Sequence, residues 1–183
     1  MWKEFFNTCV RLIVSPQRAW GEILVEEEDR NDFLNKFLHP IFGIIALTTF
    51  VGGLWFSRNG TVESALKETV VSIVSVFGGY YLASYIINEL APRFFLIKDL
   101  THYQLFVGYA SIVMYISFIV MPLLSRFSFL WLIAIYTLYI VYAATNTFMQ
   151  IEEKRRISFT AIASSLIVLV PLIIKNLLEL LIK

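Results

Sequence analysis

Side chains able to do chemistry are few in this chain of 183 residues: one cysteine, Cys9, and two histidines, His39 and His102. A thiolate zinc site needs two or more cysteines at short spacing and a disulfide needs a pair, so Cys9 excludes both. It reads as a small apolar residue on a helix face. His39 and His102 stand far apart, each at the edge of an apolar run, where an imidazole serves helix-end hydrogen bonding. The acidic run Glu26, Glu27, Glu28, Asp29 and Asp32 offers oxygen ligands but lacks the spaced ligand loop and turn glycine of a dedicated calcium site. It reads as a solvated linker. No phosphate-binding glycine loop, helical two-histidine zinc motif or nucleophile elbow is present. The expectation is therefore a protein that is not an enzyme and uses no cofactor and no metal.

The elements that must position any site follow from composition. The chain is 58% apolar and 16% aromatic, with only 16% charged residues, against about 25% charged in an ordinary soluble domain. Five charge-free apolar runs fall at about 37–57, 69–88, 103–124, 127–149 and 157–174, and even the shortest would reach roughly 27 Å as a helix. Runs such as Leu166-Ile167-Val168-Leu169-Val170 do not alternate as barrel strands must. The expected fold is all-α: a polytopic membrane protein whose residues 37–183 form a five-helix transmembrane bundle.

Residues 1–36 form a separate N-terminal region. Trp2, Phe5, Phe6, Cys9 and Ile13 recur at helical spacing, opposite Lys3, Glu4, Asn7 and Arg11. Ser15 is then a candidate N-cap with Pro16 at the first helical position, and Ala19, Trp20, Ile23 and Leu24 make a second apolar stripe. This predicts two interfacial amphipathic helices with Trp2 and Trp20 as headgroup anchors. A helical hairpin packed on the bundle is the other reading. No signal peptide is visible, so the first span is expected to act as its own insertion signal. A net charge of +1 leaves no electrostatic footprint for nucleic acid. Summed over alternate connecting segments, Lys and Arg number ten on one side and five on the other. That places the N-terminus in the cytoplasm and the C-terminus outside.

With that orientation, the polar residues within the spans gather toward the cytoplasmic half. Tyr85, Asn88, Tyr109, Asn146, Gln150 and Ser164 are candidates to line a polar cleft for a lipid headgroup, a prenyl-type tail or a partner segment. Interhelical hydrogen bonding with interfacial tyrosines is the simpler account of the same residues. None of the five runs contains Asp, Glu, Lys or Arg, which argues against an ion-coupled transporter. Ser75, Gly79 and Ala83, spaced by four, form a small-residue stripe for close helix packing, either with the third span or with a second copy in a homo-oligomer. Phe94 to Ile97, in the loop after the second span, are expected to dip into the interface.

Ser15-Pro16-Gln17-Arg18-Ala19-Trp20, followed by five spans with Gly78-Gly79-Tyr80, Ala91-Pro92-Arg93 and Gly108-Tyr109-Ala110, resembles the Yip family of Ypt/Rab-interacting membrane proteins. In eukaryotic members the resemblance implies Golgi or endoplasmic-reticulum membranes, binding of prenylated Rab GTPases and a role in vesicle traffic. With its short N-terminal segment, this chain looks like the compact bacterial type, placed in the inner (cytoplasmic) membrane, for which the family supplies a fold and a location but no reaction. Val113-Met114 stand where many relatives have a proline, which predicts a straighter third span. The functional expectation is a membrane organiser that binds membrane lipids or a protein partner at the cytoplasmic face. A small-solute or lipid carrier is the competing class.

Overall fold

Residues 2–26, 29–56, 60–124 and 133–182 are described by the structure, a computed structural model. Among them the elements run α1 (Trp2–Val14), α2 (Pro16–Glu26), α3 (Arg30–Phe33), a π turn (Leu34–Leu38), α4 (His39–Trp55), α5 (Val62–Leu90), a 3-10 turn (Ala91–Phe94), α6 (Leu100–Ala110), α7 (Ile112–Val120), α8 (Tyr136–Thr147) and α9 (Glu153–Leu181). The described residues contain no strand.

Among the described residues, three continuous helices are long and apolar enough to cross a membrane: Arg30–Trp55, Val62–Phe94 and Glu153–Leu181. The first is a single rod because the π turn absorbs Pro40. Proline at the second position of α4 has no N–H for the carbonyl four residues back, and a widened turn relieves the clash. The same turn leaves Phe33 and Phe37 stacked, with ring centroids 5.7 Å apart. A reciprocal capping box starts α5: Ser64 N–H donates to Thr61 Oγ1 at 3.1 Å, and Thr61 N–H donates to Ser64 Oγ at 3.2 Å.

The third span is bent where a straight one was expected. α6 and α7 meet at Ser111 at 45°. Ser111 Oγ donates to Val107 O at 2.7 Å, and a hydroxyl returned to its own helix in this way bends the ladder without any proline. Gly108 precedes the bend, and a Cβ there would collide with the Phe33 ring. The fourth expected run, 127–149, lies partly outside the described residues; its described helix is α8, whose 12 residues span about 18 Å. The described residues thus show three long helices and, counting the bent pair as one, up to four spans. Those four are an integral-membrane architecture, and the five-crossing count goes beyond them.

Successive legs run in opposite directions. Gly52, near the end of α4, sits against Pro122 beyond α7, and Gly53 against Ala65 at the start of α5. At the opposite end, His102 of α6 stacks on Phe148 after α8 at 4.4 Å, and Arg155 of α9 donates to Arg93 O beyond α5 at 2.9 Å. The small-residue stripe is wholly buried. Its neighbour at Gly79 is α9, where a Cβ would approach Pro171 to 2.7 Å. At Gly79 the close approach is thus made by the last helix of the same chain, and Gly79 and Ala83 also border a small space shared with Ser111, Met114 and Tyr115 of the third span.

Of the two positions open to the N-terminal helices, along the membrane interface or packed on the bundle, their apolar faces take the second. Phe5, Leu12, Ala19, Trp20 and Ile23 join the same core as the long helices. Trp20 is 0% exposed. Its indole N–H donates to Ile140 O of α8 at 3.1 Å, and its ring meets Phe106, Tyr109 and Phe148. Trp20 is thus no headgroup anchor: its one polar atom is satisfied inside the protein, which removes the reason for an indole to sit at a wet boundary. The side chain of Trp2, the other proposed anchor, lies outside what the structure describes. Tyr136 Oη donates to Ile13 O at 2.7 Å, tying the tip of the hairpin to the start of α8.

Candidate functional site

Where the hairpin leans on the bundle, the surfaces do not close completely. They leave a cavity of about 310 Å³ lined by Glu4, Phe5, Asn7, Thr8 and Arg11 of α1, Ala19, Glu22 and Ile23 of α2, Lys36 and Phe37 of the π turn, and Tyr109 of α6. Helical spacing explains the α1 contribution, since residues 4, 7, 8 and 11 lie on one face while Phe5 and Leu12 turn toward the core. The π turn sets Lys36 and Phe37 beside that face. Floor and walls differ in kind. Phe5, Phe37 and Tyr109 are buried, with Phe37 5.9 Å from Phe5 and 4.6 Å from Tyr109. The walls are charged: Arg11 Nη1 bonds Glu22 Oε2 at 2.5 Å, and Lys36 Nζ bonds Asp32 Oδ2 at 2.6 Å.

Only Tyr109 of the six proposed cleft residues lines this cavity. Tyr85, Asn146 and Gln150 are exposed. Asn88 and Ser164 are buried on α5 and α9; Ser164 Oγ donates to Thr160 O at 2.6 Å, while Asn88 Oδ1 has no partner. The cavity therefore does not bring the proposed cleft residues together. It opens between the hairpin and the bundle, and its polar wall comes from Glu4, Asn7 and Arg11. Those residues stood out in the sequence only as the polar face of α1, and their opposing partners Glu22 and Lys36 carry no local signal.

Other candidates fall elsewhere. His39 is exposed at the start of α4, and the His102 backbone N–H is capped by Asp99 Oδ1 at 3.2 Å. Asp32 is engaged by Lys36, and Glu27 and Glu28 lie outside the described residues. No group of three His, Cys, Asp or Glu side chains comes together among the described residues. In the loop after α5, Phe94 packs on Phe159, whereas Phe95 and Ile97 project outward. Phe95 holds a left-handed backbone (φ 60°) with the Arg155 guanidinium 3.9 Å from its ring centre. Cys9 is half-buried beside the cavity wall, and burial pushes its thiol up to about 12.

Comparison with known proteins finds no match among curated proteins and none among solved structures. A family model does match: the Yip1 domain aligns with residues 10–174, from within α1 to within α9. The chain belongs to the Yip1 domain family and is an integral membrane protein.

Proposed function

We propose that this protein is a non-enzymatic membrane component that works by binding, with the N-terminal hairpin and the adjoining end of the bundle as its binding surface. The observation that carries this reading is the mixed cavity of about 310 Å³ between them. A space of that size with an aromatic floor and a few polar groups is what a small polar ligand needs for orientation. Membrane lipids are its expected occupants, and a protein partner would meet the same face. The excess of Lys and Arg supports a cytoplasmic position for that face, with the C-terminal end of α9 outside, and the resemblance to compact Yip-family members supports the bacterial inner membrane.

The carrier reading has one observation to answer, because a broken span often marks a transport path. Beside the α6–α7 break, however, the space bounded by Tyr80, Ser111 and Tyr115 is only about 10 Å³, roughly one water molecule. The decisive experiment purifies the full chain in mild detergent, identifies co-purified lipid by mass spectrometry, and assays solute and lipid flux in proteoliposomes. Retained ligand without flux is expected. Substrate-dependent flux would overturn the binding role.

A further inference from the structure

The geometry points to a hydration site within the membrane-spanning part: one bound water molecule where α5, the α6–α7 bend and α9 meet, held by Tyr80, Ser111, Tyr115 and the Ile167 carbonyl. This site stands apart from the hairpin cavity and does not depend on what that cavity binds. Two hydroxyls lead to it. Tyr80 of α5 and Tyr115 of α7 are each 2% exposed, and neither Oη has a hydrogen-bond partner. A hydroxyl taken out of water and left unpaired is destabilising, so such groups are ordinarily satisfied by protein or by ordered water. Packing holds both rings in place, Tyr115 edge-on to Phe42 at 5.9 Å and Tyr80 edge-on to Tyr81 at 4.7 Å.

Both tyrosines border one space. Together with Ser111 they line a volume of about 10 Å³, the room that one water needs, and the Tyr115 hydroxyl lies within electrostatic reach of both Ser111 and Tyr80. Ser111 Oγ donates its hydrogen to Val107 O, which leaves its lone pairs to accept. The fourth group comes from α9. Pro171, inside that helix, has no N–H for the Ile167 carbonyl four residues back, and both residues line the same space. In a membrane span an acceptor freed in this way is re-satisfied by a neighbouring side chain or an ordered water.

Size and charge choose the occupant. There is no room for an organic solute, and no charged side chain lines the space, so an ion would enter without compensation. Water suits every group present: it donates to Ser111 Oγ and to the Ile167 carbonyl, and accepts from the two tyrosine hydroxyls. It thereby joins three legs of the bundle at the point where one of them turns by 45°.

The test uses the full-length chain in detergent. A brief X-ray pulse converts a bound water into a hydroxyl radical in place, which oxidises the side chains that touch it. Tyr80, Tyr115 and Met114, which lines the same space at 1% exposure, are expected to be oxidised along with the exposed Phe95, while the buried Phe106 is spared. Tyr115→Phe should cut the oxidation of Tyr80 and Met114 severalfold and lower the thermal midpoint by about 2–4 °C, the effect of one lost hydrogen bond. Tyr80→Phe should act likewise on Tyr115 and Met114. The double variant should fall little further than either, because each change breaks the same network. Protection of Tyr80, Tyr115 and Met114 from oxidation in the wild type overturns the site. A midpoint that rises in either variant also overturns it, since deleting a hydroxyl that has no partner stabilises the fold. Midpoint losses that add in full would mean that the two hydroxyls share no water, and overturn the bridge. Should a variant fail to fold, the wild-type oxidation pattern decides alone.

Discussion

Trp20 and Gly79 show how single side chains hold this molecule together. Trp20→Ala removes a fully buried indole and its added hydrogen bond to the Ile140 carbonyl, which should cost about 3–5 kcal/mol, read as a large fall in thermal midpoint in detergent. Trp20→Phe should fall between that variant and wild type. Gly79→Ala forces a Cβ against the Pro171 ring and backbone at 2.7–3.1 Å; the proline cannot rotate away, so a loss of about 1–3 kcal/mol is expected. Gly43 supplies the control, since a Cβ there meets nothing within 4 Å and alanine gains helix propensity of up to about 1 kcal/mol. A Gly43→Ala midpoint falling as far as that of Gly79→Ala would contradict the close-packing account. Cys9 permits a test that needs no mutation. With its thiol raised to about 12, the reactive thiolate is scarce at pH 7–8 and grows about tenfold per pH unit toward that value. Iodoacetamide should therefore label the folded protein slowly at neutral pH and markedly faster only as pH rises; rapid labelling at pH 7 would contradict the buried placement. Little of this was legible in the sequence. An aromatic on an amphipathic stripe reads equally as a headgroup anchor or a core residue, and what decides between them for Trp20 is a carbonyl 120 residues away.

Among the elements, the apolar runs located helices well and bounded them poorly. The helix around the run 37–57 begins at Arg30, that around 69–88 begins at Val62, and that around 157–174 extends from Glu153 to Leu181. Absence of charge marks the length that hydrocarbon tolerates, whereas a helix continues for as long as its backbone bonds and caps allow. Caps are thus where the true boundary can be tested. Thr61→Ala deletes the side-chain acceptor for Ser64 N–H and breaks the reciprocal box, with an expected loss of about 1 kcal/mol, measured as a modest midpoint shift with unchanged helical circular dichroism. A shift as large as that of Trp20→Ala would mean that the α4–α5 turn does more than cap. The bend at Ser111 escaped sequence reading for a related reason. Proline is the visible breaker, but a serine returned to its own helix and a glycine admitting Phe33 produce 45° with no proline present. The cavity was half legible on the same grounds: α1 displayed a polar face, but the wall opposite it comes from the π turn and α2, whose approach is set by tertiary packing.

For the molecule as a whole, the alternating legs lead to a prediction of where the chain's two ends emerge. Glu4 lines a cavity with Lys36, placing the start of α1 at the end of the bundle where Arg30 begins the first rod. Lys175 of α9 stands 5.6 Å from the Phe118 ring near the end of α7, and Gly52 of α4 packs on Pro122 just beyond it. The last turns of α9 therefore leave from the opposite end. With this arrangement the expectation is that the two ends lie on opposite faces of the membrane, the three helices of 26, 33 and 29 residues, each about 39 Å or longer, opposing a bundle that lies flat. Reporter fusions at the two ends, one active only in the cytoplasm and one only outside it, should give opposite readings, with the cytoplasmic signal at the N-terminal fusion as the Lys and Arg bias predicts. Opposite readings with the signs reversed would move the cavity to the outer leaflet and keep the fold. Identical readings at both ends would mean that the leg containing α8 does not return the chain across the bilayer, and the packing of Trp20 on α8 would then have to form on one side of it.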